Sequence, residues 1–185
     1  RTAYHRYGML SPFAIAAEAA RHGASKYVDE FAVWRELSYS HCFHRYPQHG
    51  SVAAMPSWAR ATLHARRTDA RPRLLTAAQL EAGASGDRLW DAAQASLIRR
   101  GELHNNLRMT WGKALLQWLA EPADALALAI RLNHRFALDG CDPCSYGGIL
   151  WCFGLFDGPK RPERPVLGTV RPRPTSKHAP MLQRY

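Results

Sequence analysis

The chain has 185 residues, enough for one domain with a real core. It carries 25 Lys and Arg against 15 Asp and Glu, a formal net charge of +10, and this favours a polyanionic partner, nucleic acid or an anionic membrane surface. No apolar run approaches the roughly 20 residues of a bilayer span, the polar start Arg1-Thr-Ala-Tyr-His-Arg is no secretory signal, and four cysteines make no disulfide scaffold.

In chain order, Ser11-Pro12 is a helix start, with Ser11 as N-cap and Pro12 at the first helical position. That helix ends at His22-Gly23. Lys26 to Phe43 predicts a second helix with Tyr27, Glu30, Phe31, Trp34, Leu37 and Ser38 on one face. Pro47 to Met55 is a loop, and Pro56 opens a helix through Leu63. His64 to Arg73 is a basic connector, read either as a phosphate contact or as a solvated charge run. Thr76 caps a short helix to Glu81, and Gly83-Ala-Ser-Gly86 breaks it.

Asp87 begins a helix that closes at Gly101, with Trp90, Ala93, Leu97 and Ile98 as its apolar face and two arginines at its end. Glu121-Pro122 starts another, nearly all apolar through Asn133. Asn133 reads either as a buried polar group in need of partners or as a helix cap. Leu138 to Pro143 is a turn, and Gly147-Gly148 beyond it permits close backbone approach. After Phe156 the composition becomes proline-rich and basic, with Lys160, Arg161, Arg164, Arg171, Arg173 and Lys177 set to follow a phosphate backbone.

Between these elements lies Gly101-Glu-Leu-His-Asn-Asn-Leu-Arg-Met-Thr-Trp-Gly-Lys-Ala-Leu-Leu-Gln-Trp118. On a helix, His104, Arg108, Trp111, Leu115 and Trp118 form one stripe. The plain reading is a core helix with polar ends. Yet a buried guanidinium needs a carboxylate or an anionic ligand, which leaves room for a site.

The run Gly-x-x-His-Asn-x-x-Arg-Met resembles the flavin-binding helix of the DNA photolyase and cryptochrome family. With Leu89-Trp90-Asp-Ala-Ala-Gln94 before it and Leu138-Asp-Gly-Cys-Asp-Pro143 after it, the order is most similar to the class II cyclobutane-pyrimidine-dimer photolyases, from about Leu10 to Arg171. The resemblance implies an all-α, multi-helix FAD-binding domain over residues 1–156, of about seven helices. An irregular basic tail, 157–185, would pack on it or extend from it.

The resemblance also assigns roles. Ser11, Asn105, Arg108, Asn133, Asp139 and Asp142 would hold FAD, with Asp139 paired to Arg108 and Asn133 facing the flavin N5. Glu30 would hydrogen-bond the damaged thymine edge, Trp34 and Trp151 would wall the flipped dimer, and Arg35 and Arg171 would meet DNA. Trp118, Trp90 and Trp111 would pass electrons inward. Thr2 would be the last hydroxyl of a phosphate loop, and an antenna chromophore would bind in an amino-terminal domain upstream of Arg1, making this chain the catalytic half.

The implied activity is that of a deoxyribodipyrimidine photolyase, a soluble cytoplasmic monomer of bacterial type that acts on damaged DNA, with no membrane role and no metal. Two departures stand out: Asn105-Asn106 where class II has Gly-Tyr, and Cys144-Ser145 where it has Asn-Gly. Three alternatives stay open: a cryptochrome-like photoreceptor, a non-enzymatic helical nucleic-acid-binding module, and a metal enzyme. The last would need Cys42, Cys141, Cys144 or Cys152 to converge with histidine, and Cys141-Asp-Pro-Cys144 lacks the second pair of a zinc ribbon.

Overall fold

A computed structural model describes residues 2–182; the backbones of Thr2 and Lys177 are included, but the roles expected of their side chains lie outside what it describes. The described residues hold ten α-helices: α1 (Thr2–Arg6), α2 (Pro12–Arg21), α3 (Ser25–Arg45), α4 (Ser57–Ala65), α5 (Ala77–Glu81), α6 (Arg88–Arg100), α7 (Asn105–Trp118), α8 (Pro122–Phe136), α9 (Pro143–Cys152) and α10 (Ala179–Leu182). Two 3-10 turns, Val52–Ala54 and Thr175–His178, complete the set. No strand occurs among the described residues, only an isolated antiparallel bridge between Arg164 and Gly168. The chain is all-α, as the sequence implies.

The caps explain most boundaries. The Ser11 hydroxyl accepts from the Ala14 N–H at 3.4 Å, Thr76 and Gln79 form a reciprocal capping box, and Asp87 accepts from both Leu89 and Trp90 N–H. Gly101 ends α6 in the left-handed region, at φ +67°.

Helix α7 is the centre. Of its 14 residues, ten are buried, from Leu107 through Trp118, so the expected stripe is really a helix enclosed almost all round. The stripe also begins one residue late: His104 is the N-cap, its Nδ1 accepting the Asn106 N–H at 3.2 Å. Helices α6, α8 and α9 pack around α7, and α9 in turn packs on α3. Two glycines set those approaches. A Cβ on Gly112 of α7 would stand 2.8 Å from Cys152 Sγ of α9, and one on Gly147 of α9 would stand 2.9 Å from Ser38 Cβ of α3.

Two expectations need correction. Ile98, assigned to the apolar face of α6, is 41% exposed. The long face assigned to α3 is mostly open: Tyr27, Glu30 and Leu37 are exposed, and only Ser38 and His41 are buried. Helices α9 and α2 pack on α3, and the rest of its periodic stripe faces outward. Leu138 to Cys141 form the expected turn, which ends where Asp142 caps α9 and Pro143 opens it.

The tail is mainly irregular yet docked. Val166, Leu167, Thr169 and Val170 are buried, and the backbone N–H groups of Val166 and Thr169 donate to Asp69 and Thr62 across the molecule, at 2.9 and 3.0 Å. Thr175 donates to the Asp87 carboxylate at 2.6 Å, fixing the last turns beside α6.

Candidate cofactor and substrate site

The site is built where α7, α8 and α9 meet. Two turns are pressed together there: the Leu138 N–H donates to the Gly101 carbonyl at 2.9 Å. Gly101 must be small, since a Cβ would lie 2.7 Å from Leu138 Cγ. Gly140 lies flat on the end of α8, where a Cβ would meet the Asn133 carbonyl and His134 Cα at 2.9 Å each. These approaches carry Asp139 across to α7.

There Arg108 Nη1 donates to Asp139 Oδ1 at 2.7 Å, with side chains 14% and 18% exposed. Its Nη2 donates to the Leu103 carbonyl at 3.3 Å, while its Nε is buried with no partner among the described residues. The guanidinium on the central helix thus has its carboxylate, and one donor left over. Asn133 is fully buried inside α8, three residues before its end, so the reading as a cap is excluded. Its Nδ2 donates to Ser145 Oγ at 2.5 Å, and its Oδ1 has no partner among the described residues.

Burial of uncompensated polar atoms costs roughly 1–3 kcal/mol each. An orphan acceptor and an orphan donor in one junction, flanked by an ion pair, suit a polar ring that supplies both. The chemistry of Arg108, Asp139 and Asn133 therefore fits a flavin.

Behind this junction lies a run of indoles. Trp90 stacks on Trp111 with centroids 6.0 Å apart and planes 5° from parallel, and meets Trp118 edge-on at 5.4 Å. Each polar edge is fixed: Trp90 Nε1 donates to the Trp111 carbonyl and Trp111 Nε1 to Gln94 Oε1, both at 2.9 Å. Gln94, fully buried, was given no role by the sequence reading; its signal was an amide on the buried face of α6, one turn after Trp90.

On the other side of α9, Trp34 of α3 and Trp151 of α9 come together with ring centroids 4.3 Å apart, both half-buried. Glu30 stands one turn before Trp34, 64% exposed, with Lys26 Nζ at 3.9 Å.

Four curated sequences, all called deoxyribodipyrimidine photo-lyase, match the chain over 91% of its length. That from Methanothermobacter thermautotrophicus is 36% identical over 169 residues, 38% of its own length. Those from rice (Oryza sativa subsp. japonica) and the marsupial Potorous tridactylus are 38% and 34% identical over 34% and 32% of theirs.

The chain belongs to the DNA photolyase family.

It spans about a third of the length of these relatives, and no family model matches it.

Within this photolyase-family chain the remaining expected residues are scattered. Ser11 and Asn105 are exposed, Ser11 serving as the cap of α2. Asp142 caps α9, accepting the Cys144 N–H at 2.8 Å. Arg35 lies over the Tyr39 ring at 4.2 Å and 3.9 Å from Glu36. The Cys144 thiol is pushed up to about 12 by burial and by Asp142, against the pull of Arg35, so it stays protonated. His5 of α1 interacts with Asp142, Arg35 and Asp139, and burial lowers its pKa.

Several basic residues are already engaged. Arg171 grips Asp157 at 3.1 Å, and Arg173 donates to Asn106 at 2.9 Å. Arg71 donates to the carbonyls of Leu119 and Ala120 and to three more in its own loop, so this part of the connector is a bracket rather than a phosphate contact. Among the described residues no group of His, Cys, Asp and Glu is placed to hold a metal ion, and no helix is long and apolar enough to cross a membrane.

Proposed function

We propose that this chain carries the FAD- and DNA-binding region of an enzyme that repairs cyclobutane pyrimidine dimers with light, of the class II type. The observation that carries the reading is the Trp34–Trp151 wall, 4.3 Å between rings on two helices, with the Glu30 carboxylate one turn away. A dimer swung out of DNA needs an aromatic face to lie on and an edge acceptor to hold it. Trp34 and Trp151 supply the face, and Glu30 accepts hydrogen bonds from the thymine edge.

Reduced FAD, when bound, supplies the electron that opens the dimer and takes it back afterwards. The protein's part is to bind, orient and keep water out. The Arg108–Asp139 pair and Asn133 would hold the flavin ring at the α7–α8–α9 junction, with Ser11 and Asn105 toward its outer parts and Asp142 fixing α9. Trp118, Trp90 and Trp111, touching in that order, would relay electrons inward, since indole is readily oxidised. Arg171, 54% exposed on its outer side, is available to a DNA phosphate. Arg35, next to Trp34 in the chain and lying over the Tyr39 ring, would be a second contact to the DNA.

The test is repair itself. Protein loaded with reduced FAD is mixed with an oligonucleotide bearing one thymine dimer and given blue light. Light-dependent loss of the dimer is expected, reduced at least tenfold in Trp34→Ala and Trp151→Ala. Flavin binding without dimer loss moves the reading to a photoreceptor; no flavin binding leaves a basic helical binding module.

A further inference from the structure

Asn133 and Ser145 form a pair that the flavin reading alone does not explain. Ser145 is 7% exposed and sits in the first turn of α9. That turn is held hard. Pro143 fixes its first residue, Asp142 caps it, and the Ser145 N–H donates to the Asp142 carbonyl at 2.9 Å. The hydroxyl is therefore delivered to one place, against Asn133 Nδ2 at 2.5 Å. A carboxamide has a donor side and an acceptor side. With the donor side taken by Ser145, the acceptor Oδ1 is the side presented, buried and without a partner among the described residues.

From this we infer that Ser145 is a positioning residue: it sets the Asn133 carboxamide oxygen-outward and so makes the junction selective for a ligand N–H. The inference rests on the proposal that Asn133 faces the flavin N5. Oxidised flavin offers only a lone pair at N5, which an amide oxygen repels. After two electrons and a proton arrive at N5, it offers an N–H, which the oxygen accepts. Ser145 thereby favours the reduced cofactor. Without the hydroxyl the amide is free to turn its Nδ2 toward N5, which suits the oxidised ring instead.

The experiment compares wild type with Ser145→Ala and Ser145→Thr, and with Ser145→Gly should the alanine variant not fold. In flavin-loaded protein the two-electron midpoint potential is measured by spectroscopic titration. Ser145→Ala is expected to lower it, by about 30 mV for each tenfold loss of preference for the reduced form, and Ser145→Thr to keep it near wild type. In flavin-free protein, the Asn133 side-chain amide resonance is expected to shift and exchange faster with solvent in Ser145→Ala. An unchanged potential in a Ser145→Ala protein that binds flavin overturns the inference and leaves the flavin reading intact. An unchanged Asn133 resonance overturns it too. Absence of flavin binding in wild type overturns the underlying reading instead.

Discussion

The two ends of the helical sequence are built differently. In α6 to α9 the buried residues touch from several sides: Trp90, Leu97, Trp111, Leu115, Leu126, Leu132, Ile149 and Leu150 are at most 1% exposed. In α1 to α3 large apolar side chains face outward, with Phe13 84%, Met9 68%, Tyr7 58% and Tyr4 54% exposed, and α2 has no buried residue. The first region holds the ion pair, the buried amide and the indole run. The second carries Glu30 and Trp34 on a long helix held chiefly through α9. Burial lies where the proposed flavin site is, and exposure where the proposed dimer wall is.

The widest gap between the regions should appear in stability. Trp90→Ala is expected to cost about 3–5 kcal/mol through the cavity it leaves, whereas Phe13→Ala should stay within about 0.5 kcal/mol. Urea unfolding followed by circular dichroism decides it, and equal effects would erase the distinction between the regions. Next comes charge. Asp139→Ala leaves the Arg108 guanidinium buried and unpaired, a loss of up to about 3 kcal/mol, which a second change, Arg108→Met, should partly restore. Glu30→Ala, removing an exposed pair 3.9 Å long, should leave stability unchanged within error.

Glycines give a smaller contrast. Gly101 and Gly23 both have φ near +65°, but only Gly101 is hemmed in, by Leu138. Gly101→Ala should cost clearly more than the roughly 1 kcal/mol of conformational strain expected at Gly23→Ala.

The smallest effect is set by pH. Burial lowers the pKa of His41 and His134 below the ordinary 6.5, so the fold favours their neutral forms. Above about pH 6.5 folded and unfolded chains are both neutral there and nothing is lost. As pH falls below that value the unfolded chain takes up protons first, and stability declines until the folded-state pKa is passed. Melting temperature should therefore drop between pH 7.5 and 5.5, less steeply in His134→Gln; an equal slope in the variant would remove His134 from the account.

The sequence made the helices legible wherever an end carries its own chemistry. Ser11-Pro12, Thr76 with Gln79, Asp87 and Gly101 each cap locally, and each boundary falls where those residues predict. Arg108 was recognisable as needing a carboxylate, because a guanidinium on an apolar stripe admits few solutions, and Asp139 supplies one. Contacts between helices left no such signature. The Asn133–Ser145 bond joins α8 and α9, and the Gln94–Trp111 bond joins α6 and α7; both depend on how two cylinders are rotated against each other. Ile98 failed for the same reason: its periodicity is that of a buried face, yet it is 41% exposed. The docking of the proline-rich tail onto Thr62, Asp69 and Asp87 was equally invisible, since it uses backbone N–H groups and one hydroxyl spaced irregularly along the chain.

The central claim is that the α7–α8–α9 junction is a flavin site. Titration of the purified protein with FAD, followed by flavin fluorescence, addresses it directly. Saturable binding is expected in wild type, weakened at least tenfold in Asp139→Ala and in Asn133→Ala, with Phe13→Ala unaffected. Absence of binding, or binding indifferent to both junction variants in folded protein, would contradict the account.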